Sequence, residues 1–269
     1  MKKIALILLV MIMAMGMFTA CGGSDEPAAD NAGEAAKTFT VGFDANFPPY
    51  GYMEDGEYVG FDLDMAAEVA ERNGWELVLR PIDWNAKDME LDSQTIDCIW
   101  NGFTMNGREE LYTWTDAYQD NSQVFVVRTD SGITDIAGLA GKTLSVQMDS
   151  SAEAALNDEE SELAVNLKAS LKEVVTVAEY NTAFMDLEAG AVDAIAMDIG
   201  VAGFQIEGRE GFMILDEVLA SEQYGVGFKL GNTELRDTVQ ATLEEMVEDG
   251  TFAEISEKWF GYDVGIIGK

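Results

Sequence analysis

From Thr38 onward, apolar and polar positions divide the chain into alternating strand-like and helix-like segments. Phe39-Thr40-Val41-Gly42-Phe43 has the two-residue period of a strand. Residues 50–59 place the turn Glu54-Asp55-Gly56-Glu57 between two short extended runs and predict a hairpin. Asp62 is the expected cap of a helix whose Met65, Ala66, Val69 and Ala70 recur at helical spacing and which stops near Gly74. A strand over 76–81, a short helix after Asp83-Trp84 and strands over 96–100 and 123–127 follow.

The pattern then begins again. Residues 138–142 lead into a strand over 143–146, and Ser150-Ser151-Ala152-Glu153 opens a helix. A strand over 174–178, a helix over 181–188 and a strand over 192–197 complete a βαβ run. A strand over 225–229 and helices over 233–248 and 252–260 close the chain. Strands alternating with helices through short loops predict parallel-rich sheets covered by helices. Two such runs predict an α/β chain of two lobes, with joints near residues 128–131 and 221–225. The first lobe takes residues 38–128 and 225–262, and the second takes 129–224. No short repeat, dinucleotide-binding glycine fingerprint or P-loop occurs.

The start of the chain follows another pattern. Residues 1–20 have two lysines followed by an uncharged apolar run, short for a membrane span, as in a secretory signal. The run ends Phe18-Thr19-Ala20-Cys21, which resembles a bacterial lipobox with Phe18 at the usual leucine position. That resemblance implies cleavage before Cys21 and acylation of its thiol. An ordinary signal peptide, or an uncut anchor with Cys21 incidental, are the other readings. Residues 22–37, GGSDEPAADNAGEAAK, are small, polar and aperiodic, so 21–37 reads as a flexible tether.

Composition narrows the chemistry. The chain has 269 residues, is 48% hydrophobic and carries a formal net charge of −34. That is enough apolar sequence for two real cores. The charge disfavours nucleic acid and anionic lipid headgroups as direct partners. There is no histidine, which removes the commonest general base and transition-metal ligand. No metal or cofactor site is expected. Cys98 lies in an apolar run and reads as a buried strand cysteine. Trp100 is expected to pack in the first lobe, and Asp193 to be structural.

Ligands of open α/β sheets sit beyond the carboxyl ends of the strands. Five groups follow predicted strands: Asp44 with Phe47; Trp84; Gly102 with Thr104 and Arg108; Ser150 with Ser151; and Asp198. Arg108 is the one cation between Lys87 and Arg128, in a stretch rich in acids. By itself it could be a surface ion pair with Glu109 or Glu110. Ser150 and Asp198 could be helix caps, and Phe47 and Trp84 could be core.

The stretches VGFDANFPPYGYMEDGEYVGFDLDMAAEVAE, PIDWN, NGFTMNGRE, DAIAMD and GTFAEISEKWFG resemble the polar-amino-acid branch (family 3) of bacterial solute-binding proteins, the receptors of ABC importers. The similarity runs in order from about Thr38 to Gly261. It implies a type II periplasmic-binding-protein-like fold: two mixed, mostly parallel sheets joined by a two-strand hinge and closing on a free amino acid. Arg108 would hold the ligand carboxylate bidentately, with Ser150 and Ser151 at a helix start on its other side. Asp198, the Gly102 carbonyl and the Thr104 hydroxyl would hold the ammonium. Phe47 and Trp84 would sandwich the ligand side chain, and Asp44 would face its polar or cationic tip. The family commonly has one more residue between the threonine and the arginine, so Glu109 occupies the ungapped position. A one-residue deletion is assumed, since glutamate cannot clamp a carboxylate.

The implied partners are an L-amino acid with a polar or cationic side chain, such as glutamine, arginine, lysine, histidine or cystine, and ABC permease and ATPase subunits. The chain would be a monomer that meets the membrane only through lipidated Cys21. Two alternatives use the same fold. A cyclohexadienyl-dehydratase-like enzyme would need a substrate without an ammonium, which Asp198 disfavours. A ligand sensor would need a separate signalling partner.

Overall fold

Phe39, Val41 and Phe43 are wholly buried along the first strand, β1 (Thr38–Phe43), and its two-residue period makes it a sheet strand. The computed structural model describes residues 36–269. The expected leader and Cys21 lie outside them. After β1 come β2 (Asn46–Phe47) and the expected hairpin, β3 (Gly51–Glu54) and β4 (Glu57–Val59). Helix α1 (Phe61–Arg72) buries Met65, Ala66, Val69 and Ala70, the predicted apolar face. Then follow β5 (Glu76–Pro81), a 3-10 turn (Trp84–Ala86), α2 (Lys87–Asp92), β6 (Cys98–Ile99) and β7 (Tyr112–Trp114).

The second run is β8 (Gln119–Arg128), β9 (Thr143–Gln147), α3 (Ser151–Leu156), α4 (Glu162–Ser170), β10 (Glu173–Val177), α5 (Tyr180–Ala189), β11 (Ala194–Asp198), α6 (Ile199–Ile206) and β12 (Phe212–Tyr224). The chain closes with β13 (Gly227–Lys229), α7 (Thr233–Asp249) and α8 (Thr251–Phe260). No helix of the described residues is long and apolar enough to cross a membrane.

Two five-stranded mixed sheets organise these elements. The first has the order β5-β1-β6-β13-β7, with β1 parallel to β5 and β6, and β13 antiparallel to β6 and β7. The second has the order β10-β9-β11-β8-β12, with β9 parallel to β10 and β11, and β8 antiparallel to β11 and β12. The closing strand β13 returns to the first sheet, as the pattern predicted.

Four expectations change. Asp62 does not cap α1: Gly60 holds that position, and the Asp62 side chain turns inward to accept bonds from the Gly102 amide and the Tyr118 hydroxyl. The strand over 96–100 narrows to Cys98–Ile99, although Asp97 and Trp100 still donate their amides to Thr40 and Gly42 of β1. The first joint moves. Strand β8 starts at Gln119, and all of it belongs to the second sheet, so the chain crosses over just before Gln119 and not near 128–131. Strand β12 was unexpected because its polar and apolar residues do not alternate cleanly. Its pairing with β8 shifts register at Val218, a β-bulge.

One apolar cluster runs through both halves, from Phe39, Val41 and Trp100 to Tyr180, Met197 and Tyr224. Each sheet also has a smaller cluster of its own. Cys98 is buried and free, and burial pushes its thiol well up. Asp193 accepts the amide of Thr143 and pairs with Lys142, a structural role.

Candidate functional site

The ends of β1, β5, β6, β9 and β11 converge on one seam between the two sheets. Several side-chain bonds cross it, these four among them. Gln147 Nε2 at the end of β9 donates to Asp44 Oδ2 at 2.8 Å. Arg108 Nη1 donates to Ser151 Oγ at 3.0 Å. Thr104 Oγ1 donates to Glu222 Oε1 of β12 at 2.8 Å. Lys87, which is 2% exposed, pairs with Asp149 in the loop before α3.

At one end of the seam lies Arg108. Its loop is short: the Arg108 amide donates to Met105 at 2.9 Å, and Gly107 takes a left-handed φ of 77°. The guanidinium folds back onto the Thr104 carbonyl at 3.2 Å and over the Phe103 ring at 5.3 Å while still reaching Ser151. It forms no ion pair with an acid among the described residues, and Glu109 and Glu110 are exposed. Ser150 caps α3, its hydroxyl accepting the Glu153 amide at 3.1 Å. Arg108, Asp149, Ser150, Ser151 and Glu222 line a cavity of about 570 Å³.

The acidic end is buried. Asp198 precedes α6 but makes no side-chain cap. Instead its Oδ1 accepts Asn121 Nδ2 at 2.9 Å, Gln123 Nε2 at 2.8 Å and the Tyr224 hydroxyl at 2.5 Å. Burial first, and the charge of Glu222 second, push its carboxyl up to about 7. Gly102 lies against Tyr224, the same ring that bonds Asp198, with φ +57°, and is held by the bond from its amide to buried Asp62. A side chain there would meet the rings of Phe47 and Tyr224, each at 3.1 Å from a Cβ, so glycine is required twice over.

A second cavity of about 570 Å³ is lined by Asp44, Asn46, Asp83, Trp84, Glu90 and Glu179, among others, with no cation in its walls. Asp44 Oδ1 accepts the Asn46 amide at 2.8 Å, and burial raises its pKa. Trp84 stands edge-on against Phe103, with centroids 5.4 Å apart. Phe47 is buried against Tyr50 and Tyr180 at 5.8 and 6.1 Å.

The structure thus gathers all nine positions singled out beyond the strands at one seam, with Asp44 and Trp84 in one cavity and Arg108, Ser150 and Ser151 in the other. The sequence reading missed Gln147, Glu222, Lys87 and the amide pair Asn121 and Gln123. A signal existed for the last two. Gln119, Asn121 and Gln123 alternate along β8 and are all buried, a polar face on a strand flanked by apolar residues.

Residues 39–262 match the profile of the bacterial extracellular solute-binding proteins, family 3. The chain is 30% identical over 278 residues to the L-cystine-binding protein TcyA of Bacillus subtilis, covering 98% of this chain and 99% of that one. Among solved structures it resembles an ABC uptake transporter substrate-binding protein from Streptococcus pneumoniae with bound histidine, at 34% identity and a TM-score of 0.80. That match covers 85% of this chain and 94% of the other. It also resembles the arginine-, lysine-, histidine-binding protein ArtJ of Geobacillus stearothermophilus, at 30% identity and a TM-score of 0.75, over 84% of this chain and 96% of that one. These neighbours have the type II periplasmic-binding-protein fold, which is the fold of this chain.

Proposed function

We propose that this chain, which belongs to the bacterial extracellular solute-binding proteins of family 3, captures a free polar or cationic L-amino acid in its seam and delivers it to an ABC import permease. The observation that carries the reading is Arg108: in a chain of net charge −34, its guanidinium has no acid partner among the described residues and points across the seam to Ser151. A guanidinium so placed suits a carboxylate, which it can hold with two parallel bonds. Asp198, Thr104 and the Gly102 carbonyl then take the ammonium. Trp84, Phe47 and Asp44 receive the side chain.

The acids of the second cavity favour a ligand whose tip donates hydrogen bonds or is cationic. The relatives fit this class: one is named for cystine, one holds histidine and one is named for arginine, lysine and histidine. Because the groups for one small ligand come from both sheets, the bound state is the closed one, and the ligand stabilises it by its preference for that state. The chain binds without turnover, as a monomer, and is anchored outside the cytoplasm through lipidated Cys21.

A thermal-shift screen of the twenty amino acids and cystine tests this. A ligand above its dissociation constant raises the melting temperature. A rise is expected with a polar or cationic amino acid, and flat melting curves across the whole panel would overturn the reading. Mass spectrometry of the membrane fraction tests the anchor: a diacylated Cys21 at the mature N-terminus is expected, and an unmodified leader would contradict it.

A further inference from the structure

Glu222 is buried and shares its hydrogen-bond donors with Asp198. Asn121 Nδ2 donates to both Asp198 Oδ1 (2.9 Å) and Glu222 Oε1 (2.6 Å). Gln123 Nε2 also donates to both, at 2.8 and 2.7 Å. The two carboxylates therefore lie no further apart than two hydrogen bonds laid end to end. Thr104 completes the set on Glu222 and Tyr224 the set on Asp198.

We propose that Glu222 is a second acceptor for the ligand ammonium, and that it and Asp198 share one proton in the free protein, which the ammonium displaces into solvent on binding. This rests on the reading of Asp198 as the ammonium acceptor.

All the donors in contact with the pair are neutral. Asn121 and Gln123 of β8 supply amides, and Tyr224 of β12 and Thr104 supply hydroxyls. Tyr50 and Tyr180 face the pair as hydroxyls that burial keeps protonated. The charges of two more acids act on these hydroxyls, Asp62 on Tyr50 and Asp44 on Tyr180. Arg108 holds the Thr104 carbonyl and neither carboxylate. Two ionised carboxylates on shared neutral donors repel, and a proton between them removes the repulsion. An ammonium does the same with three donors and a full positive charge. The raised pKa of Asp198 agrees with a retained proton.

Releasing one proton makes affinity fall about tenfold for each pH unit below the titration of the pair. Calorimetry of the whole mature chain with L-arginine, L-glutamine and L-cystine tests this, since none of the three titrates between pH 5 and 7. Two buffers of different ionisation enthalpy at pH 6 count the protons. Close to one released proton is expected with the wild type and distinctly fewer with Glu222→Gln, whose affinity then changes less between pH 5 and 7. A merely structural Glu222 would lower affinity equally at every pH, and that result overturns the proposal.

The free protein gives an independent readout. Carbon-13 NMR should show a carboxyl titrating near pH 7 that moves lower in Glu222→Gln, and its absence also overturns the proposal. If none of the three ligands binds, or Asp198→Asn leaves affinity intact, it is the reading of the site that falls. The carboxyl titration still decides whether the pair holds a proton.

Discussion

The two ends of the seam are electrical opposites. At one end a guanidinium sits part-exposed with only neutral oxygens around it, from Thr104, Ser151 and Asp149. At the other, two buried carboxylates share neutral amides and hydroxyls. A self-contained fold would gain by pairing these charges with each other. It holds them apart on separate elements instead: Arg108 in the loop before β7, Asp198 on β11 and Glu222 on β12. A free amino acid carries the complementary pair of charges on one carbon, so the arrangement reads as a zwitterion written in reverse. The ends also differ in how they are held. Arg108 is placed by one short loop, whereas Asp198 and Glu222 are fixed on β11 and β12, the two strands paired with β8.

This contrast can be attacked from each side. The largest effect is expected for Arg108→Ala, which leaves a bound carboxylate desolvated without its partner. Affinity for the preferred amino acid should fall by about 3–5 kcal/mol, roughly 150- to 5000-fold, by titration calorimetry. Asp198→Asn keeps the shape of the other end and removes one charge, so a loss of about 1.5–3 kcal/mol is expected in the same assay. Gly102→Ala strikes the backbone behind the acids. Its left-handed φ and the nearby Phe47 and Tyr224 rings predict a fold less stable by about 1–2 kcal/mol in urea denaturation.

The pH dependence of the free protein probes the buried acids with no ligand present. Asp62 and Asp198 are each pushed up to about 7, burial being the first cause of both. Unfolded carboxyls of this kind titrate near the ordinary value of 3.8, so between about pH 4 and 7 the folded chain binds more protons than the unfolded one. Stability should therefore be highest on the acid side of this window and fall as pH rises through it. Asp62→Asn should flatten that slope. Melting temperatures at a series of pH values measure it.

Much of this was legible from residue patterns because it depends on local order. The hairpin at Asp55-Gly56, the apolar face of α1, the Ser150 cap and the closing helices each follow from spacing within a few residues. The positions after strands were legible for the same reason. What escaped depends on which strand lies beside which. Strand β12 is recognisable only through its ladder with β8, and Glu222 gains meaning only when that ladder sets it opposite Asn121. Asp62 looked like a cap by position, yet tertiary contacts with Gly102 and Tyr118 turned it inward. Gln147 and Lys87 meet their partners across the seam, at separations no local pattern encodes.

The central claim is that Arg108 reads the ligand carboxylate. Its most direct test compares the amino acid giving the largest thermal shift with its own carboxamide, on the wild type and on Arg108→Ala. The amide keeps the ammonium, the side chain and almost the same size. Calorimetry should show the wild type strongly preferring the acid and the variant binding acid and amide within a few-fold of each other. If Arg108→Ala weakens both by the same factor, the guanidinium does not recognise the carboxylate and the claim is wrong.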